Sequence, residues 1–306
     1  MGTPDFAIPS LTLLLASDNT LAGVVTQPDR PRGRGKQLQP PPVKVLAQQH
    51  GLPIIQPEKV KEEDCLQWLK AQHPDLIVVV AFGQILPPRI LSLPLHGCIN
   101  LHASLLPYYR GAAPINRTIM NGDTKTGVTS MFMNEWMDTG DILIQRETDI
   151  EPDEDAPALR NRLATLGAKL LLETIHLLKR GELSSLPQDH SKASYAPPLK
   201  KEDGKINWQR SAQEIQNQIR GTLPWPGAFT KVGNKLLKIF KSGMGEGTPQ
   251  GPPGTVTDVS TSGITVSTGN GHLLITEVQL QDRKRMAAAE FVKGNPIPTG
   301  TQLGCC

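Results

Sequence analysis

A chain of 306 residues is long enough for two ordinary domains, and a net charge of +3 is too small for a bulk electrostatic hold on nucleic acid, so any such contact must rest on local patches. Its four cysteines, Cys65, Cys98, Cys305 and Cys306, form no CxxC pair and accompany no histidine cluster, which argues against a disulfide framework or a metal site and for a reducing compartment. No stretch approaches the roughly 20 apolar residues that cross a membrane, and the start shows no secretory pattern.

In chain order, residues 7–17 read as a helix, 23–26 as a strand, 43–50 as a helix, 53–55 as a short strand and 62–72 as a helix. Residues 75–81, Asp-Leu-Ile-Val-Val-Val-Ala, are a continuous apolar run, the pattern of a strand covered on both faces by crossover helices. Residues 98–102 follow as another strand. This alternation predicts an α/β fold, an open, mostly parallel Rossmann-like sheet whose ligands bind outside the carboxyl ends of the strands.

The longest helical pattern, residues 156–179, spaces Leu159, Leu163, Leu166, Leu170 and Leu177 for one face and closes a first domain expected to span residues 1–186. Residues 187–205, rich in Ser, Pro, Lys and Asp, read as a linker. In residues 206–306 a helix at 211–220 precedes strand-like runs at 228–232, 236–240, 254–259, 263–267 and 273–280, separated by Gly, Asn, Pro and Ser turns. That spacing predicts a small β-barrel of the OB-like kind.

Asn100 and His102 lie two apart at the end of a strand and so project from the same face. A carboxylate from the later Met137-Asp138-Thr139-Gly140-Asp141 loop would complete a polar triad able to polarise a carbonyl and move a proton without a covalent nucleophile or a metal. Spacing alone leaves open that Asn100 and His102 merely cap the strand. The glycines form neither GxGxxG after a strand nor GxxxxGK[ST], so no nucleotide site is read and a dehydrogenase is disfavoured.

Five phrases occur in order: Gly2-Thr3-Pro4-Asp5-Phe6, Thr26-Gln27-Pro28-Asp29-Arg30-Pro31, Gly33-Arg34-Gly35-Lys36, Arg110-Gly111-Ala112-Ala113-Pro114-Ile115 and Met137-Asp138-Thr139-Gly140-Asp141. In that order they resemble the methionyl-tRNA formyltransferase family. The resemblance implies transfer of the formyl group of 10-formyltetrahydrofolate to the amino group of methionyl initiator tRNA, with Asn100, His102 and Asp138 as the catalytic centre and no metal. It implies a tetrahydrofolate-binding segment at Ser104, Leu105, Leu106 and Pro107, with both leucines against the flat donor and residues 81–87 lining the same pocket. It further implies that the basic loop carrying Arg30, Arg32, Arg34, Lys36 and Lys44 meets the acceptor end of the tRNA, with Arg34 and Lys36 as the leading candidates. A second basic patch is expected on the barrel through Lys231, Lys235, Lys238, Lys241, Arg283, Lys284 and Arg285. A cytoplasmic monomer is expected. Members of the family open with a short apolar strand ahead of the Gly-Thr-Pro loop, so a natural start several residues upstream of Met1 is also an expectation. The competing readings are a folate-dependent formyltransferase acting on a small amine, and a non-catalytic RNA-binding protein.

Overall fold

A computed structural model describes residues 1–32, 37–247 and 251–304. The chain divides into two units, the first made of Met1–Pro114, Lys125–Asp149 and Arg160–Ala196, the second of Ile115–Thr124, Ile150–Leu159 and the chain from Pro197 onward.

The first unit opens with α1 (Ile8–Leu15), β1 (Val24–Val25), the antiparallel pair β2 (Arg30–Arg32) and β3 (Gln37–Gln39), α2 (Pro42–Gln49), β4 (Ile54–Ile55), α3 (Glu63–Ala71), β5 (Ile77–Val80), α4 (Pro88–Leu91) and β6 (Cys98–His102). Local chemistry sets several of these bounds. Helix α3 places Glu63 and Asp64 in its first turn and Lys70 in its last, each complementing the helix dipole. Helices α2 and α4 begin with proline in the first turn, where a missing N–H costs nothing.

Strand β5 pairs parallel with β6 from Ile77↔Cys98 to Val80↔Leu101, and β1 pairs parallel with β4. Met1 and Gly2 lie between the two pairs: Gly2 N donates to Val25 O at 3.1 Å, Val80 N donates to Met1 O at 2.9 Å, and Gly2 bridges Val80 in parallel. A groove of about 600 Å³ follows from there, walled by Leu11, Leu21, Trp68, Leu76 and Leu178.

After α5 (Pro114–Asn121), whose residues from Ile115 group with the second unit, come β7 (Lys125–Phe132) and β8 (Ile142–Asp149). No expectation covered these two strands. Strand β7 runs antiparallel to both β6 and β8, so an antiparallel ribbon edges the parallel sheet. Helix α6 (Ala156–Lys179) has the bounds read from the sequence, and of the five leucines placed on one face Leu159, Leu163 and Leu170 are buried, beside Ala164, Ala168, Leu171, Thr174 and Ile175, while Leu166 and Leu177 are only half-buried. Gly167 brings α6 close to β6, because a Cβ there would stand 2.7 Å from Leu101 Cδ2.

The stretch read as a linker is divided. Gln188 is buried, and residues up to Ala196 are tied to the first unit by Arg110 N donating to Ser194 O at 2.9 Å and Ala196 N donating to Arg110 O at 2.7 Å. The units part between Ala196 and Pro197.

In the second unit α7 (Ala212–Gly221) starts at a capping box, in which Glu214 N donates to Ser211 Oγ and the Glu214 carboxylate accepts from Ser211 N. Strands β9 (Ala228–Val232), β10 (Lys235–Gly245), β11 (Val256–Ser260), β12 (Gly263–Ser267), β13 (His272–Leu280) and β14 (Met286–Ala287) follow, then α8 (Ala288–Gly294). The antiparallel order is β11-β12-β13-β10-β9, with β14 on β13. The segment 300–304 closes this sheet: Val256 N donates to Thr301 O on β11's side and Gly304 N donates to Lys231 O on β9's side. Trp208, Ile215, Ile219, Leu237, Ile275 and Phe291 fill its interior. Among the described residues no helix is long and apolar enough to cross a membrane.

Burial pushes the Cys98 thiol up to about 12 and the Cys65 thiol up to about 11. At pH 8 almost no thiolate is present at either, so neither is alkylated by maleimide in the native protein and both are after denaturation, as read by peptide mass. Native labelling of Cys98 would contradict its place in the sheet.

Candidate active site

The register of β6 builds the centre of the site. Asn100 stands opposite Met131 and His102 opposite Thr129, both at the carboxyl end that β6 shares with β5. Asn100 is half-buried, and among the described residues its side-chain amide has no hydrogen-bond partner, which leaves it free to donate to a ligand. His102 is 6% exposed. Its Nε2 lies 2.9 Å from the Tyr109 carbonyl and its Nδ1 lies 3.6 Å from Asp138 Oδ2. Both ring nitrogens therefore face oxygen atoms, Nε2 within hydrogen-bond distance and Nδ1 just beyond it.

Asp138 reaches this position through unusual backbone. Its φ is +53°, in the left-handed region, and Oδ2 accepts from Gly111 N at 2.8 Å. Gly111 has φ +115°, and a Cβ there would stand 2.8 Å from the Ala196 carbonyl oxygen, so only glycine brings this N–H to the carboxylate. Gly140 is equally constrained, since a Cβ there would collide with the Phe132 carbonyl. Asp141, on the same loop, faces outward and accepts from Ser185 Oγ at 3.3 Å.

Residues without a sequence signal hold this loop. Gln188 Nε2 donates to the carbonyls of Asp138 at 3.0 Å and Gly140 at 2.7 Å, while its Oε1 accepts from Arg110 Nε at 3.1 Å and Nη2 at 2.7 Å. Arg110 is 2% exposed, and its Nη2 also donates to His190 Nδ1 at 3.0 Å. Arg110 stood in a quoted phrase with no role, and Gln188 lay in a stretch whose composition reads as linker.

The loop after β6 is braced from β7 and β8. Thr129 Oγ1 donates to Ser104 O at 2.6 Å and accepts from Leu106 N at 3.2 Å, and Gln145 Nε2 donates to Leu106 O at 2.9 Å. Ser104 is fully buried, with its Oγ donating to Tyr108 O at 2.6 Å, and the Leu106-Pro107 peptide is cis. Leu106 is 3% exposed and belongs to the core, while Leu105 and Pro107 are half-buried at the surface of the loop. Of the two leucines expected to face a flat ligand, Leu105 alone stands at the surface. In residues 81–87, Thr3 Oγ1 and Gln27 Nε2 both donate to the Phe82 carbonyl, which fixes the end of β5.

Two of the five basic residues in the early loop are neutralised: Arg30 pairs with Glu58 at 2.6 Å and Lys44 with Asp29 at 2.8 Å. Lys44 and Gln56 hold the Asp29 carboxyl below the usual range, Gln56 the larger influence. Arg34 and Lys36 lie outside the described residues. On the second unit Arg285 is committed to Glu277 at 2.7 Å and lies over the Phe240 ring at 4.3 Å, whereas among the described residues Lys231, Lys235, Lys238, Lys241, Arg283 and Lys284 make no ion pair. Among the described residues no three His, Cys, Asp or Glu side chains group to hold a metal.

The fold is that of a formyl transferase: residues 8–175 match the model of the formyl transferase family and residues 198–296 that of its C-terminal domain. Methionyl-tRNA formyltransferases of Geobacter metallireducens and Syntrophus aciditrophicus are each 51% identical to this chain over 304 residues, covering 99% of it and 97% of theirs. The chain belongs to the methionyl-tRNA formyltransferase family. Among solved structures, the sugar 3N-formyl transferase WlaRD, in the presence of dTDP and 5-N-formyl-THF, superposes with a TM-score of 0.67 at 20% identity over 92% of this chain and 97% of that one. An N-formyltransferase from Helicobacter canadensis, in complex with folinic acid and dTDP-3-aminofucose, gives 0.66 at 19% identity over 93% and 97%. These two share the fold.

The clamp on the Asp138 loop predicts that Gln188→Leu, which keeps side-chain volume and removes four hydrogen bonds, lowers kcat by about 10–100-fold, since a misplacement of about 1 Å can cost that much. Gln188→Glu, which keeps Oε1 for Arg110 but loses both donors, should fall with it. Steady-state kinetics of both variants, beside thermal melts, check this; unchanged kcat in folded Gln188→Leu would remove the clamp from the site.

Proposed function

We propose that Asn100, His102 and Asp138 carry out the formyl transfer of this family, from a donor held at Ser104, Leu105, Leu106 and Pro107. The protein is an enzyme that transfers a formyl group from a folate-derived donor to the amino group of methionyl-tRNA. The observation that supports this reading best is the full-length 51% identity to methionyl-tRNA formyltransferases. The reading with a small amine as acceptor is not favoured by it.

With 10-formyltetrahydrofolate as donor, the unprotonated amine of the methionyl group attacks the formyl carbon, a new N–C bond forms, and the carbonyl oxygen becomes an oxyanion. Asn100, with its free amide, supplies the direct donor to that oxygen, a contribution worth about 2.7–4 kcal/mol in comparable oxyanion sites. His102 Nε2 is engaged by Tyr109 O, so His102 stands behind the Asp138 carboxylate at 3.6 Å rather than donating directly to the oxyanion. Asp138 takes the proton leaving the amine. Collapse of the tetrahedral intermediate breaks the bond from the formyl carbon to N10, and N10 gains a proton as tetrahydrofolate leaves.

The initiator form of the tRNA is proposed as the acceptor, with Arg34 and Lys36 against its acceptor end and Lys231, Lys235, Lys238, Lys241, Arg283 and Lys284 along its backbone, in a cytoplasmic monomer. Phosphates would position the tRNA there, as basic side chains on a small barrel commonly do.

A formyl-transfer assay with 10-formyltetrahydrofolate tests the reading. Transfer to methionyl initiator tRNA, with none to free methionine or to small sugar and nucleotide amines, is the expected result, and transfer to a small amine instead would overturn it. Arg34→Ala should raise the KM for methionyl-tRNA about tenfold and leave that for the donor unchanged. An unchanged tRNA dependence would remove the loop from recognition.

A further inference from the structure

Aromatic residues make up only 4% of the chain, yet three of them stand exposed around the Asp138 loop: Trp136 at 74%, Tyr195 at 70% and Tyr108 at 48%. Exposed aromatic rings offer flat apolar area to a partner that covers them. Trp136 is tied to the proposed catalytic centre by chain proximity, and Tyr195 and Tyr108 by hydrogen bonds of their own or neighbouring residues. Trp136 precedes Asp138 by two residues, at most about 7 Å of chain. Tyr195 bridges Arg110, and the next residue, Gly111, donates to the Asp138 carboxylate. Tyr108 carries the carbonyl held by Ser104, and its neighbour Tyr109 carries the one held by His102.

Trp136 sits on a pinned turn rather than a loose one. Its N–H donates to Asn134 Oδ1 at 3.0 Å, and Thr139 Oγ1 donates to the same oxygen at 2.8 Å. The ring is therefore presented to solvent on a fixed support, which lowers the entropy lost when a partner covers it.

The reaction dictates what passes this rim. The amine must reach Asp138, and in methionyl-tRNA it is only a few bonds from the terminal ribose, so the terminal nucleoside lies at the mouth of the site whenever the amine is in place. We infer that Trp136, with Tyr195 and Tyr108, is an aromatic platform on which the terminal bases of the tRNA acceptor end stack. This rests on the proposed catalytic role of Asp138. Flat rings suit an unpaired end, because every base offers a π-face and stacking does not depend on sequence. The platform would hold the aminoacyl end in register while basic residues elsewhere position the rest of the tRNA. A single-stranded end gains most from this kind of contact, since its bases have no partner strand.

Kinetics of Trp136 variants test the proposal on the full chain. Trp136→Ala should raise the KM for methionyl-tRNA about tenfold, with kcat at saturation and the KM for 10-formyltetrahydrofolate unchanged. Trp136→Phe should retain most of the wild-type KM, whereas Trp136→Leu, apolar but not planar, should behave as Trp136→Ala. A Trp136→Ala enzyme with wild-type KM for the tRNA would overturn the platform. So would a Leu variant as good as the Phe variant, or a shift confined to the KM of the donor, which would give the rim to the folate. Failure of the underlying reading is distinguishable, because an Asp138→Asn enzyme would then keep wild-type kcat, a result that the Trp136 variants do not depend on.

Discussion

One backbone N–H, that of Gly111, donates to the Asp138 carboxylate and holds it 3.6 Å from His102. Much of the first unit can be traced from that bond. It requires Gly111 at a positive φ against the Ala196 carbonyl, which in turn requires the segment up to Ala196 to run alongside Arg110. It also requires Asp138 in the left-handed region, a conformation that costs about 1–3 kcal/mol for a residue other than glycine. A hydrogen bond to a charged group contributes about 1.5–3 kcal/mol, and the two carbonyl bonds from Gln188 add about 0.5–1.5 kcal/mol each, so the strained geometry is held with a margin.

The two arms of the site differ in how they are built. One face of the candidate site comes from regular structure: Asn100 and His102 sit on a strand whose parallel pairing with β5 and antiparallel pairing with β7 leaves them little freedom. Asp138, Gly111 and Gln188 come from three irregular segments locked by hydrogen bonds. A strand supplies precision through its register. Loops supply approach from a second direction, at the expense of bracing by Arg110, Gln188, Thr129 and Gln145.

How much was legible in the sequence follows from the range of the interactions. The helices at 156–179 and 211–220 and the strands at 228–232 and 263–267 were read at or close to their final bounds, because periodicity and the Ser211–Glu214 capping box are local signals. Strands β7 and β8 were not read: six successive buried residues in β7 include Thr126, Thr129 and Ser130, and polar residues inside a sheet erase the alternation that marks a strand. The polarity of Thr129 has a reason that only the fold reveals, since it braces the loop carrying Ser104 and Leu106. Asn100, His102 and Asp138 were legible as candidates through residue type and resemblance. Gln188 was not, because nothing in a Ser- and Pro-rich stretch announces that one glutamine is buried against a loop fifty residues earlier.

The coupling between His102 and Asp138 is the centre of the account, and a double-mutant cycle on kcat with methionyl-tRNA measures it most directly. If the two act as a unit, His102→Ala, Asp138→Ala and the double variant lose turnover to nearly the same extent, as groups that work together do. Losses that multiply in the double variant, as for independent sites, would contradict it.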